Sequence, residues 1–222
     1  MPYRKTPLVA GEIYHVFSRS IAGIPIFRNI KDYQRMLDVI MYYRFEKPPL
    51  RFSHYNRLPF EQKEHVYKLL LNSQPMLEML AYCIMPNHLH FLLQLLKKNS
   101  ASNFMRNIQN SYAKYFNTKY HRTGSLFQFM FKAVIIENDD QLIHVSRYIH
   151  LNPVTAFIIE IDQLKDYPWS SFGDYISAKT ESFTSTNVVL QHFKSVKHYK
   201  RFVFDQVDYQ RELDQIKHLT LE

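Results

Sequence analysis

The composition of this 222-residue chain predicts a soluble globular protein with one substantial hydrophobic core. Hydrophobic residues make up 46% of the chain and charged residues 22%, and the net charge of +8 makes the protein strongly basic. Aromatic residues, which are counted among the hydrophobic ones, make up 15% of the chain. Because bases stack on aromatic rings and phosphates attract Lys and Arg, this combination favours a nucleic-acid partner. Composition alone is equally compatible with a basic protein that binds no nucleic acid.

The cysteine content and the N-terminal sequence predict a cytoplasmic protein. Cys83 is the only cysteine, which excludes an internal disulfide framework and a cysteine-rich zinc site. Residues 1–7 lack the apolar core of about 7 to 15 residues that a signal peptide needs. No apolar run approaches the roughly 20 residues of a membrane-spanning helix. We therefore expect no targeting segment and no membrane partner.

The first half of the chain predicts a strand, a helix and an insertion. Apolar and polar residues alternate over residues 11–20, which is typical of a strand. From Asp32, the predicted N-cap, apolar residues recur at helical spacing to about residue 45. Residues 47–75 are irregular and contain several prolines, which indicates an insertion over the surface, with a short helix at 61–71.

The next elements are predicted to be a β-hairpin, a helix, a strand and a last helix. In this order they cover residues 76–84 and 88–96, 102–116, 131–137, and 140–150. Ser102 is the predicted N-cap of the first of these helices. The last helix is predicted to end before Asn152 and Pro153, because proline disfavours helical backbone in the residue before it.

This order of elements predicts an α+β fold. It matches the ferredoxin-like split β-α-β-β-α-β pattern, an antiparallel sheet with helices packed on one face, to which the last helix is an addition. We predict one domain over residues 1–177 and a basic C-terminal extension over residues 178–222. The amphipathic stretch in this extension predicts a short helical appendage that either grips nucleic acid or packs on the domain.

A pair of histidines opens the second strand of the predicted hairpin. Side chains at i and i+2 of a strand point to the same face, so His88 and His90 are expected to stand side by side while Leu89 and Phe91 face the core. Two imidazoles can form part of a metal site. An isolated pair of this kind is more often a pair of solvated residues, so the interpretation depends on the rest of the chain.

The last helix supplies groups that complete such a site. His144, Tyr148 and Asn152 are four residues apart, so they form one line with about 6 Å between successive side chains. Two imidazoles and one amide oxygen can hold a divalent cation and leave positions open for a substrate oxygen. Tyr148 is then a candidate nucleophile toward phosphorus. Because the pKa of tyrosine is near 10, it needs activation, for which the cation, His144 and Lys132 are candidates.

These residues carry a resemblance to a known family. Tyr14-His15-Val16, Pro86-Asn87-His88-Leu89-His90, and Tyr148 followed by Asn152-Pro153-Val154 resemble the single-tyrosine (Y1) transposases of the IS200-like family. The family belongs to the HUH endonuclease superfamily. The chain is most similar to the branch associated with repetitive extragenic palindromes (REP), and the resemblance covers about residues 11–175.

The resemblance implies a ferredoxin-like HUH endonuclease fold and a metal-dependent enzyme of DNA transposition and recombination. Such an enzyme recognises hairpins in single-stranded DNA, then cleaves and rejoins the DNA through a 5′-phosphotyrosine. Tyr148 corresponds to the nucleophile, and His88, His90 and Asn152 to the ligands of Mg²⁺ or Mn²⁺. Imidazole ligands by themselves suit zinc or nickel equally well. The family implies a monomer or a homodimer.

Two departures from the family pattern concern DNA and metal binding. Residues 122–132 resemble a family segment, but Phe129 and Met130 replace the usual glycine and arginine, which removes one expected DNA contact. The amide of Asn152 is a weaker ligand than the Gln or Glu found elsewhere in the superfamily. The remaining candidate DNA contacts are basic side chains or histidine: Arg19, Arg106, Lys114, Arg122, Lys132 and His144.

Two rival functions are compatible with parts of the sequence. A non-catalytic binder of structured DNA or RNA needs only the basic charge and the aromatic content. A metal-dependent hydrolase of small phosphoesters would need acidic ligands, and no acidic cluster surrounds the histidine pair.

Overall fold

A four-stranded antiparallel sheet forms the centre of the structure, a computed structural model that describes residues 7–177 and 182–207. Its strands are β1 (Ile13–Arg19), β2 (Leu77–Met85), β3 (His88–Leu95) and β4 (Lys132–Ile135). They lie in the order β2-β3-β1-β4, and each pair of neighbours is antiparallel. This order confirms the predicted α+β fold and the split β-α-β-β-α-β arrangement.

The strands are joined and covered by helices. These are α1 (Ile30–Tyr43), α2 (Phe52–Tyr55), α3 (Phe60–Leu71), α4 (Ser100–Lys119), α5 (Asp139–Thr155), α6 (Phe172–Ile176), α7 (Asn187–Leu190) and α8 (Val196–Phe204). Short 3-10 helices lie at Ile21–Gly23 and Ile161–Asp166. The predicted insertion contains α2 and α3. Within residues 7–177 and 182–207, none of the helices is both long and apolar enough to cross a bilayer.

The two faces of the sheet carry different helices. Alternate strand residues such as Val16, Leu89 and Phe91 pack with α1 and α4 in one apolar cluster. The other face, which includes Cys83 and Leu92, packs with α5 and the segment that contains α6 to α8. The two helices of the predicted pattern therefore share one face, and the additional helix covers the other.

The N-caps of α1 and α4 correct two predictions. Asn29, not Asp32, caps α1, and its side-chain oxygen accepts a hydrogen bond of 3.2 Å from the Asp32 backbone N–H. Asn99 precedes α4 with a φ of 61°, a left-handed conformation that Asn tolerates. Ser102 lies inside this helix, because the buried Ser100 and Ala101 extend it toward the N-terminus.

The C-terminal end of α5 corrects a third prediction. The helix does not end before Asn152 and Pro153 but continues through both to Thr155. Leu151, Pro153 and Val154 are all buried, so packing stabilises the last turn against the cost of an internal proline. The Asn152 side-chain amide donates a 2.8 Å hydrogen bond to the Tyr148 carbonyl within this turn.

A buried carboxylate joins α1 to α4. The Asp32 side chain is inaccessible to solvent and accepts hydrogen bonds from Lys119 Nζ at 2.6 Å, Tyr120 Oη at 2.6 Å and Tyr115 Oη at 2.9 Å. The backbone N–H of Arg28 donates a further bond of 3.0 Å. Burial opposes ionisation of this group, but the hydrogen bonds outweigh burial and hold the pKa of Asp32 below its ordinary value.

We predict that Asp32→Asn destabilises the protein by about 2 to 4 kcal/mol, because it leaves Lys119 without its counter-charge. Chemical denaturation at pH 7 measures this loss, and Glu64→Gln, which removes an exposed ion pair with Lys68, is the control that leaves the midpoint unchanged.

The same pair of proteins tests the pH dependence of this interaction. Since the pKa of Asp32 is depressed in the folded state, its contribution is present above the ordinary Asp pKa of about 4 and is lost as the pH falls further. The stability of the Asp32→Asn variant lacks this pH-dependent contribution. Equal midpoints for wild type and Asp32→Asn at pH 7 would contradict the assignment.

Candidate functional site

The register between β1 and β3 gathers histidines on the face of the sheet that α5 covers. Phe17 lies opposite His90, and residues two apart share a face, so His15 and His88 point to the same side as His90. The ring centroids of His88 and His90 are 4.8 Å apart. His15 Nε2 lies 3.0 Å from His90 Nδ1. Three imidazoles from two neighbouring strands therefore form one cluster.

Helix α5 places Tyr148 and Asn152 over this cluster. The Tyr148 ring meets the rings of His90 and His15 edge-on, with centroid distances of 5.6 Å and 5.8 Å. One helical turn later, Asn152 is 5% exposed and its side chain lies beside that of His88. A single chain thus brings together the four residues that the sequence singled out, together with His15.

Burial keeps the clustered imidazoles neutral near pH 7. It lowers the pKa of His15 to about 4 and holds that of His90 well below its usual value. For His88, burial and the nearby positive charge of Arg19 lower the pKa to about 4, although the interaction with Asn152 acts in the opposite direction. Neutral imidazole nitrogens have the lone pairs that a metal ion requires.

The hydrogen bonds of the site fit a divalent cation held by Nε2 atoms. Nδ1 of His90 faces His15, and Nδ1 of His88 lies 2.6 Å from the Asn87 side-chain oxygen. Contacts of this kind orient metal-binding histidines and fix their tautomers. Because Nδ2 of Asn152 donates to the Tyr148 carbonyl, its Oδ1 is left as an acceptor on the side of His88.

The donor set contains no carboxylate. Across residues 7–177 and 182–207, no group of three or more His, Cys, Asp or Glu side chains has an arrangement suited to a metal ion. Beside the three imidazoles, this cluster contains the side-chain amide of Asn152 as a further group with an oxygen lone pair.

Two of the predicted DNA contacts lie beside this cluster. Arg19 is opposite His88 in the strand register. Lys132 is opposite Phe17 on the edge strand β4, with its Nζ 6.0 Å from the centre of the Phe17 ring. Both cationic side chains therefore flank the histidines on the face that Tyr148 approaches.

The other four predicted contacts lie elsewhere. Arg106 and Lys114 are exposed on α4, on the opposite face of the sheet. The Arg122 guanidinium donates to Asn117 Oδ1 at the end of α4 and to the Ser125 carbonyl in its own loop. His144 lies 2.7 Å from Arg147 Nη2 and packs on the ring of Phe202.

The C-terminal segment packs on the side of α5 that faces away from Tyr148. The Tyr199 hydroxyl of α8 lies 2.7 Å from His150 Nδ1 and 3.2 Å from Ser146 Oγ. Both partners are two residues from Tyr148, which places them about 160° around the helix from it. His150 Nε2 is 2.8 Å from Ser171 Oγ, which also contacts the backbone of β2. Residues 182–207 thus pack on the domain.

Comparison with known proteins identifies relatives of this site. A family described as IS200-like transposases matches residues 59–152, a range that contains His88, His90, Tyr148 and Asn152. The predicted family resemblance is confirmed. The match is shorter than the predicted range of residues 11–175 and does not include His15.

Individual relatives agree with the family match. A putative REP-associated tyrosine transposase of Haemophilus influenzae is 29% identical over 112 residues, which are 46% of this chain and 62% of that protein. The alignment therefore spans less than two thirds of the relative. A solved REP-associated tyrosine transposase bound to a REP hairpin is 18% identical, with a TM-score of 0.52 over 82% of this chain and 89% of that chain. This likeness shows the shared fold.

Sequence reasoning did not single out two residues of the site. His15 entered only as part of a family motif, although its alternation with Tyr14 and Val16 could have placed it on the face of His90. Nothing in the sequence indicated a special role for Tyr199, because an aromatic residue in an amphipathic helix is most often a core residue.

We predict that Tyr199→Phe lowers the free energy of unfolding by about 1 to 3 kcal/mol, because it leaves the buried His150 Nδ1 without its partner. Urea denaturation measures the loss. Tyr55→Phe is the matched control and should leave stability nearly unchanged, since this ring packs on Tyr42 and Phe52 and its hydroxyl has no hydrogen bond among residues 7–177 and 182–207. Equal effects of the two substitutions would show that the Tyr199 hydroxyl does not anchor α5.

Proposed function

We propose that this chain is a transposase-type endonuclease that cleaves and rejoins single-stranded DNA through a covalent bond to Tyr148. One observation carries the proposal: within one chain, the Tyr148 ring packs on His15 and His90 while Asn152 contacts His88. The match of this region to IS200-like transposases supports the same conclusion.

The proposed reaction is two transfers of one phosphoryl group. The phenol oxygen of Tyr148 attacks phosphorus, the bond from phosphorus to the 3′-oxygen breaks, and the strand leaves with a free 3′-hydroxyl after taking up a proton. A 3′-hydroxyl of a second strand then attacks the phosphotyrosine and releases the phenol. Each step forms one phosphate ester bond and breaks another, so no external energy source is needed.

The proposed metal ligands are His88, His90 and Asn152. Two neutral imidazoles with oriented Nε2 atoms and one amide oxygen fit a divalent cation, for which we propose Mg²⁺ or Mn²⁺. When bound, such a cation polarises a phosphate oxygen as a Lewis acid. The Asn87 and His15 contacts orient the two imidazoles toward this task.

The proposed substrate is single-stranded DNA that contains a hairpin. A fold relative is described as bound to a REP hairpin. In this chain, Arg19 and Lys132 lie on either side of the clustered histidines, where they can contact the phosphates that flank the cleaved bond. We propose that one chain supplies the whole site.

We predict that Tyr148→Phe abolishes the covalent protein–DNA adduct formed on hairpin-containing single-stranded DNA with Mg²⁺ or Mn²⁺, because phenylalanine has no nucleophilic oxygen. Denaturing gel electrophoresis with labelled DNA detects the adduct. Tyr120→Phe is the control, since its hydroxyl bonds Asp32 on the opposite face of the sheet. An adduct that persists in Tyr148→Phe would show that another residue is the nucleophile.

The rival function, a non-catalytic binder of structured nucleic acid, is favoured by the net charge of +8 and the aromatic content of 15%. We predict that EDTA or His90→Ala eliminates adduct formation while the affinity for hairpin DNA changes less than about threefold, since phosphate contacts provide most of the binding energy. Binding is measured by fluorescence anisotropy. DNA that is bound but never processed, with or without metal, would support the rival instead.

A further inference from the structure

A groove of about 870 Å³ lies between α1, α2 and α4, on the face of the sheet opposite Tyr148. Cationic side chains line it: Arg35 from α1, Arg51 and Arg57 at the two ends of α2, and Lys114 from α4. Lys119 also lines the groove, but the buried Asp32 neutralises it. No Asp or Glu is part of the lining. All charged side chains that line the groove are therefore cationic.

The cations of this groove form no close ion pairs, although Asp38 attracts Arg35 at longer range. Within the described ranges, none of Arg35, Arg51, Arg57 and Lys114 forms an ion pair. Four cations directed toward one space repel each other, so an anion in the groove lowers their electrostatic energy.

Arg35 is held in place by aromatic rings. Its guanidinium carbon lies 4.5 Å from the centre of the Phe52 ring and 5.2 Å from that of Tyr115. Its Nε is buried without a hydrogen-bond partner. Stacking of this kind pre-organises a guanidinium, which reduces the side-chain entropy that is lost when it binds a phosphate.

The uncharged lining favours phosphate oxygens over bases. Asn56, Asn107 and Asn110 contribute amides, and three hydroxyl side chains lie beside them. Groups of this type contact DNA backbones without reading sequence. Tyr43 and Tyr115 also line the groove, but Tyr43 is buried, and the Tyr115 ring is contacted by Arg35 at 5.2 Å and Lys119 at 5.3 Å, so neither ring offers a free face for a base.

We propose that this groove binds the phosphate backbone of a double-stranded DNA segment. Single-strand binding relies on stacking of bases on free aromatic rings, which this lining does not offer, whereas duplex binding relies on phosphate contacts. Arg106 extends the cationic surface along α4, one turn before Asn110. The inference goes beyond the proposed function, because the sheet separates the groove from Tyr148. The groove would therefore be a second DNA contact of the chain.

The test measures binding of a fluorescent duplex of about 20 base pairs without a hairpin, by anisotropy in EDTA over a range of salt concentrations. The groove variant combines Arg51→Gln, Arg57→Gln and Lys114→Gln. Each lost phosphate contact reduces the slope of log K against log salt by about 0.9, so we expect a reduction of about 2 to 3. The control combines Lys194→Gln, Lys197→Gln and Lys200→Gln on the α5 side and removes the same charge.

The outcomes of this test are separable from those of the Tyr148 experiments, because binding is measured without metal and without cleavage. A normal slope in the groove variant, or an equal loss in the control, overturns the proposal. Displacement of the duplex by an unstructured single strand or by poly-glutamate at equal charge also overturns it, since the groove would then be a general anion site.

Thermal unfolding checks that the groove variant is folded. The single variant Lys114→Gln, at an exposed position, should still reduce the slope of log K against log salt by about 0.9.

Discussion

The packing of α5 against the histidine face of the sheet is the interaction on which the candidate site depends. The strand register alone places His15, His88 and His90 together, but it provides neither a nucleophile nor a third donor. Ile149, Leu151 and Val154 are buried in the core on this face, and that packing fixes the rotation of the helix. Tyr148 and Asn152 meet the histidines because of this rotation.

The sheet separates two kinds of interaction. On the α5 side, buried imidazoles are neutral and oriented by Asn87, His15 and Asn152, which suits metal and phosphate chemistry. On the α1 and α4 side, exposed cations line an open groove, which suits contact with a charged backbone. Asp32 fastens α1 to α4 and leaves four groove cations unpaired. The two proposals therefore place DNA contacts on both faces of the sheet.

Periodicity in the sequence was enough to predict the order of strands and helices and the common face of His88 and His90. It failed where tertiary packing outweighs local preference. Buried neighbours extend α5 through Pro153. The Asp32 carboxylate is bound by Lys119 and Tyr120, 87 and 88 positions away, as well as by the Arg28 N–H beside its own helix terminus. Long-range contacts also bring His150 to Tyr199 and place Arg51 and Arg57 near Lys114. Local sequence patterns do not encode such contacts.

The central claim is that one chain supplies both Tyr148 and the histidine pair, and a mixing experiment tests it most directly. Tyr148→Phe and the double variant His88→Ala/His90→Ala are each inactive by this account, and their equimolar mixture is assayed for the DNA adduct beside the wild type. The account predicts an adduct with the wild type and none with the mixture. Adduct formation that returns on mixing would contradict it, because it would require Tyr148 of one chain to act at the histidines of another.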